Sequence, residues 1–190
     1  ELDTMIRCVK DGGLAGDPNY PATFVNGPTG FGQAMLFDGG AGGHEYVGIG
    51  SYNPSAATGQ LSLSLWAKWD GPSDQWQGMI GKRNAGDWDS AIMMWYFELE
   101  RDVWDVRFVQ PSSGLNTGKT LEVGEWTHLA VTFDGTTAIV YINAEVALEG
   151  DFSFGEDKTA PMQIGASQDG GGNPFNGALD EVRIYDGALS

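Results

Sequence analysis

Positive charge is what this sequence has least of. Ten Lys and Arg stand against 26 Asp and Glu, for a formal net charge of −16. A nucleic-acid binder draws its affinity from Lys and Arg on phosphates, so that class is excluded. An anionic membrane surface is a poor partner for the same reason. Long apolar runs are missing as well. The longest, Ala91–Phe97, is far too short to span a bilayer, and no membrane insertion is expected. No charged-then-apolar leader opens the chain, which reads as a mature protein or an excised domain. Cys8 stands alone, which excludes an internal disulfide framework and a CxxC-type metal site. It reads as a small residue inside a strand, with an intermolecular disulfide as the alternative. His44 and His128 are too few and too separate for a zinc or triad site. Gly12-Gly13 and Gly170-Gly171-Gly172 lack the strand-to-helix setting of a phosphate loop.

What is abundant is glycine and negative charge. The 29 glycines are dispersed through 190 residues, between short apolar runs, as in many strands joined by tight turns. Length and a hydrophobic fraction of 41% suit one domain, residues 1–190. The acidic balance attracts cations and makes a divalent metal a candidate.

Alternation is clearest at Leu61–Trp69. Leu61, Leu63, Leu65, Ala67 and Trp69 share one face, and Ser62, Ser64, Trp66 and Lys68 the other. Ile92–Val109 reads as a hairpin about Glu100-Arg101-Asp102-Val103. The spacing predicts Leu99 against Trp104, Phe97 against Val106 and Trp95 against Phe108 on an apolar face. Tyr96 would then face Arg107, and Glu98 Asp105, on a solvent-accessible one. A second hairpin runs from Trp126–Phe133 through Asp134-Gly135, a type I′ turn signal, to Thr136–Asn143. It sets Leu129, Val131 and Phe133 against Val140, Ala138 and Thr136, with both faces apolar enough for a central, doubly covered position. At the end of the chain, Val182 and Ile184 alternate with Glu181, Arg183 and Tyr185. Ten or more short strands without a helix predict an all-β, two-sheet antiparallel jelly-roll sandwich.

The motifs then fall into a familiar order. Gly32-Gln33-Ala34-Met35-Leu36-Phe37-Asp38-Gly39 is followed by Tyr46-Val47 and by Leu63-Ser64-Leu65-Trp66-Ala67-Lys68. Next come Glu125–Gly135, with Trp126, His128 and Asp134-Gly135, and Tyr141-Ile142-Asn143, where Ala144 replaces a usual glycine. Ile164-Gly165, Phe175–Tyr185 and Ala188-Leu189-Ser190 close the series. Over about residues 30–190 this resembles the bacterial laminin G-like jelly roll of the concanavalin A-like lectin/glucanase superfamily. The resemblance implies a non-catalytic module of a secreted or cell-surface protein. It would bind carbohydrate, such as a surface glycan, or another protein chain. It also implies one structural calcium ion where the Phe-Asp-Gly turn meets the last strand. The matching positions are Asp38, Gly39 and Asp180, with Asp11 as a weaker further ligand. Asp180 shares the phase of Val182 and Ile184, and an inward carboxylate needs a partner.

Sugar binding needs exposed aromatic rings with polar groups beside them. Trp66, Trp95, Trp104 and Trp126 sit in strand patterns and are assigned to the core. Trp88 lies in a glycine-containing loop with Arg83, Asn84, Asp87 and Asp89. Trp76 lies in a second polar loop, and Asp169 and Asn173 in a Gly-rich third. Loops on a rigid sandwich commonly carry recognition, so these residues are the expected ligand site. Two alternatives remain. One is a structural or adhesin subunit whose ligand is a protein chain. The other is a glycosidase using the carboxylates of Glu98-Leu99-Glu100-Arg101-Asp102, but the hairpin puts Glu100–Asp102 in its turn, where strand alternation fails.

Overall fold

The computed structural model describes residues 23–39, 45–86 and 89–189. Cys8, Asp11, His44, Asp87 and Trp88 lie outside the described residues. Short apolar-alternating segments become strands throughout. They are β1 (Thr23–Asn26), β2 (Gln33–Asp38), β3 (Val47–Gly50), β4 (Leu61–Trp69) and β5 (Gln77–Arg83). β6 (Met93–Leu99), β7 (Val106–Gln110), β8 (Ser113–Asn116), β9 (Trp126–Phe133) and β10 (Thr137–Ile142) follow. The last are β11 (Glu145–Asp151), β12 (Met162–Ile164), β13 (Ala166–Gln168), β14 (Gly172–Pro174) and β15 (Asn176–Tyr185). Among the described residues the only helical turn is a 3-10 turn at Asp169–Gly171.

The strands form the two-sheet sandwich that the sequence predicts. A seven-stranded sheet has the order β1-β2-β15-β4-β9-β10-β11. In the eight-stranded sheet β5-β6-β7-β8 are consecutive neighbours, β12 joins β5 to β3, and β14 joins β5 to β13. The inward face of β4 holds Leu61, Leu63, Leu65, Ala67 and Trp69, all buried. Trp95, Phe97, Leu99, Val106 and Phe108 meet them from the opposite sheet in one core. Phe152 ties the layers together, stacked on Phe108 at 4.3 Å and edge-on to Phe133 at 5.4 Å. Each such side chain contributes about 1.5–3 kcal/mol by leaving water.

Both predicted hairpins form, each with its register moved by two residues. In the first, Leu99 pairs with Val106, Phe97 with Phe108 and Glu98 with Arg107. The reason is a longer turn. Glu100 N–H donates to the Asp105 carbonyl at 2.9 Å and Trp104 N–H to the Glu100 carbonyl at 2.7 Å. In the second, Phe133 pairs with Ala138, Val131 with Val140 and Leu129 with Ile142. Here Asp134 Oδ1 accepts from the amides of Thr136 at 2.9 Å and Thr137 at 2.8 Å. That side-chain turn takes Thr136 out of the ladder. A slip of two is one full period, so every side chain keeps its face.

Three expectations about exposure are corrected. The face of Tyr96, Glu98 and Arg107 is buried, not solvent-accessible, because β13 lies over β5 beside it and Trp76 covers Arg107. The β9–β10 hairpin is covered on one face only: along β9, buried residues alternate with half-buried ones. Trp66 and Trp126 belong to that outer, half-buried face and not to the core. Among the described residues no helix is long and apolar enough to cross a membrane.

Candidate functional site

Strand alternation builds a polar floor on the outer face of the eight-stranded sheet. With Phe97 and Leu99 turned inward, Tyr96 and Glu98 point outward. The registers carry these positions across the sheet. One rung runs Gly78–Glu98–Arg107–Asn116, and the next runs Gly81–Tyr96–Val109–Gly114. Arg107 donates from Nε at 3.1 Å and from Nη2 at 2.7 Å to Glu98 Oε1. Its Nη1 lies 3.5 Å from Glu100 Oε2, which also accepts from the Asn116 amide. The indole of Trp76 covers the Arg107 guanidinium at 4.2 Å, and Arg83 covers the Tyr96 ring at 4.8 Å. Arg83 also donates to the Gly86 carbonyl.

A strap roofs this floor. After Gly165, whose φ of +80° lets the chain turn out of the sheet at the end of β12, β13 crosses over β5. A Cβ on Gly78 would stand 2.2 Å from the Ser167 amide nitrogen, and one on Gly81 2.4 Å from the Ser167 carbonyl oxygen. Only glycine allows backbone to lie on backbone here. Asn173, on the returning β14, donates to the Ser167 hydroxyl at 2.9 Å, and Gly171 N–H reaches Gln163 Oε1 at 3.2 Å.

Removing this cluster from water has a cost. Burial pushes the Glu98 carboxyl up to about 7, against the charge and hydrogen bonds of Arg107, the charge of Arg83 and a weaker polar contact from Ser167. Glu98 Oε2 has no hydrogen-bond partner of good geometry among the described residues. Glu98 and Glu100 thus both lean on Arg107.

The sequence-nominated ligand residues divide. Trp76, Arg83 and Asn173 converge on this floor and its roof. Asp169 sits at the tip of the strap, exposed, with Oδ1 accepting from Gly170 N–H at 2.9 Å. The tip also reaches Tyr46, whose hydroxyl is pushed up first by burial and then by the Asp169 charge. Asn84 and Asp89 stay apart from the floor. Asn84 donates to Asp157 Oδ2 at 2.7 Å, and Asp89 Oδ1 caps its own turn by accepting from Ala91 N–H at 2.8 Å. Tyr96, Glu98, Arg107 and Ser167 are what the sequence reading missed as a unit. Pairing Glu98 with Arg107, two residues beyond Asp105, is the signal that would have found them.

The calcium positions do not converge. Asp38 pairs with Asn176, whereas Asp180 pairs with Trp66. Four residues of strand separate Asn176 from Asp180, about 13 Å, too far for two short side chains to share one ion. Asp180 also leaves the predicted phase. A β-bulge between Asp180 and Arg183, with Glu181 at a φ of +49°, keeps Asp180 on the outer face while Ile184 points inward. Asp38 has a different acidic neighbour. Its amide donates to Glu45 Oε2 at 3.2 Å, and the Glu45 carboxyl is pushed up by burial and then by the Asp38 charge. Gly39 N–H closes this end by donating to the Phe175 carbonyl at 2.9 Å. Among the described residues no three His, Cys, Asp or Glu side chains gather as a metal-binding group.

Solved structures share this architecture. Domain 4 of the extracellular arabinanase AbnA from Geobacillus stearothermophilus, in complex with arabinotriose, superposes with a TM-score of 0.65 at 24% identity. The match covers 90% of this chain and 78% of that one. The CBM40 of the Ruminococcus gnavus IT-sialidase, bound to α2,3-sialyllactose, gives 0.57 at 17% identity over 75% of this chain and 88% of that one. A putative carbohydrate-binding protein from Bacteroides ovatus gives 0.56 at 17% identity, over 89% of this chain and 44% of that one. No curated protein sequence matches the chain. With two antiparallel sheets in this order, and a laminin G-like family model matching residues 41–190, the chain belongs to the concanavalin A-like lectin/glucanases superfamily.

Proposed function

We propose that the chain is a non-catalytic carbohydrate-recognition module of a secreted or cell-surface protein. Its saccharide lies along the rim of the roofed face, between Trp76 and the strap residues Asp169 and Asn173. The observation that carries this reading is convergence. Trp76, Arg83 and Asn173, nominated from three separate loops, meet on one face whose aromatic and polar groups are already fixed by one another. Such pre-organisation lowers the cost of binding. Two of the similar structures hold oligosaccharides, arabinotriose and sialyllactose, which supports the class of ligand. Hydrolysis fits the site poorly. A glycosidase sets two carboxyl groups across an open cleft, one as acid and one as nucleophile or base. Here one guanidinium holds both Glu98 and Glu100.

The test is a glycan array followed by titration calorimetry on the best soluble ligand. Trp76→Ala and Asn173→Ala should each weaken binding about tenfold or more, the worth of a stacked ring or a placed hydrogen bond. Unchanged affinity in both would sink the assignment. Reducing-sugar release from that ligand would overturn the non-catalytic reading.

For calcium we place the ion at the end of β2, on Asp38 and Glu45, and leave Asp180 out. The support is that two acidic residues meet there, with the Asp38 amide 3.2 Å from Glu45 Oε2 and the Glu45 carboxyl pushed up first by burial and then by the Asp38 charge, a setting in which a hard cation would favour the ionised form. EDTA should then lower the melting temperature, an effect that Glu45→Gln removes and Asp180→Asn leaves intact. A melting curve insensitive to both EDTA and calcium would end this proposal.

A further inference from the structure

The outer face of the seven-stranded sheet carries an opening that the family match does not explain. Alternation on β4 turns Ser64 and Trp66 outward. The neighbouring strands set Asp180 and His128 on either side of Trp66, and Arg183 beside Ser64. The β15 bulge, with non-glycine Glu181 in the left-handed region, brings Glu181 and Arg183 to the same side as an ion pair. From the other direction comes the β1–β2 turn. Gly27 N–H donates to the Gly32 carbonyl at 2.9 Å, and Gly30 and Gly32 take φ values of +93° and +87°. This turn holds Phe31 out, 45% exposed, with its ring 6.2 Å from Trp66, while His128 stands 5.2 Å from Trp66 on the far side. Phe31, Ser64, Trp66, His128, Glu181 and Arg183 line an open groove of about 280 Å³.

We infer that this groove is a second saccharide subsite, separate from the roofed face, that takes an uncharged sugar unit on Trp66 and Phe31. Two tilted aromatic rings offer faces to sugar CH groups. The flanking Glu181–Arg183 pair supplies an acceptor and a donor side by side, as neighbouring hydroxyls require. Burial, and then the charge of Arg183, push the His128 imidazole down, so at neutral pH it offers one donor and one acceptor without charge. Charge decides which sugars fit. The lining holds one acid and one base, Glu181 and Arg183, already paired with each other, so an acidic sugar finds no unpaired cation there and a neutral one needs none. An added peptide strand fits poorly: β15, β4 and β9 are interior strands, each paired on both sides.

The test is an NMR titration of the whole chain with arabinotriose and a panel of neutral gluco- and galacto-oligosaccharides, with α2,3-sialyllactose as the anionic control. A neutral sugar should shift the Trp66 indole N–H and the Phe31 and Arg183 amides. Phe31→Ala should weaken that binding at least fivefold, and Trp66→Ala should abolish it. Trp76→Ala should leave it unchanged, so failure of this groove and failure of the roofed face are read separately. Phe31 is an exposed turn residue, so its variant keeps the test valid if Trp66→Ala does not fold. The inference is overturned if no neutral sugar moves Trp66, if Phe31→Ala binds as the parent does, or if sialyllactose binds the groove more tightly than every neutral sugar.

Discussion

On the outer face of the eight-stranded sheet Glu98 and Arg107 meet under a strap, with side chains 1% and 3% exposed. On the outer face of the seven-stranded sheet Glu181 and Arg183 meet in the open, 30% and 47% exposed. The chemical pair is the same and its meaning differs. Under the strap, water cannot replace either partner, so each group depends on the other and the pair acts as a fixed part of the fold. In the open groove, water already competes, so a ligand hydroxyl can exchange for it at little cost. One sandwich therefore holds a pre-organised face and an exchangeable face, and burial separates them more than composition does.

The largest expected contrast comes from removing the arginines. Arg107→Met leaves a buried carboxylate without its cation and should cost about 3–5 kcal/mol. Arg183→Met should cost about 1 kcal/mol or less. Urea unfolding of the two variants against the parent checks this, and equal losses would erase the distinction between the faces. Adding Glu98→Leu to Arg107→Met should restore much of the stability, since an apolar pair needs no solvation.

The faces should also titrate in opposite directions. The Glu98 carboxyl rises from an ordinary 4.5 to about 7 on folding. Between those values the native state keeps a proton that the unfolded chain has lost. Stability from this group is full below pH 4.5 and is lost as pH rises through 7, by up to about 3 kcal/mol. His128 on the open face is pushed below 6.5, so the unfolded chain holds the proton there, and stability rises as pH climbs towards 6.5. Unfolding free energies at pH 5 and pH 8 for the parent, Glu98→Gln and His128→Gln separate the two. The falling limb should vanish in the first variant and steepen in the second. A parent-like slope in Glu98→Gln would show that the carboxyl is not held protonated by burial.

Much of this contrast was hidden in the sequence for local reasons. Strand phase was legible. Leu61–Trp69 and both hairpins show the right residues inward, and the slip of two residues left each face intact. Turn length was not legible, because it depends on where Asp134 and Glu100 spend their hydrogen bonds. The β15 bulge left no mark either. Asp180-Glu181-Val182-Arg183-Ile184-Tyr185 reads as unbroken alternation, which puts Asp180 inward with Val182 and Ile184. The strap was read as a Gly-rich loop. What holds it down is contact with Gly78 and Gly81, nearly ninety residues away, and a glycine that makes room for distant backbone looks like any other glycine.

The smallest effect tests that contact. Gly81 has an ordinary φ, so alanine is not strained by its own backbone there; the obstacle is the Ser167 carbonyl, 2.4 Å from the new Cβ. The strap must lift, and the expected loss is about 1–3 kcal/mol, the usual cost of overpacking. Lifting it also wets Glu98, so the falling limb between pH 4.5 and 7 should shrink in Gly81→Ala although the glutamate is untouched. Hydrogen exchange at the Ser167 amide reports the lifting directly. The open face supplies the control: Ser64→Ala, an outward residue of β4 with no strap above it, should change stability by less than about 0.5 kcal/mol and leave the pH profile as it was. If Gly81→Ala destabilises without altering the pH dependence, the strap is only a packing element, and the low-dielectric setting of Glu98 comes from Trp76 and Arg107 beside it.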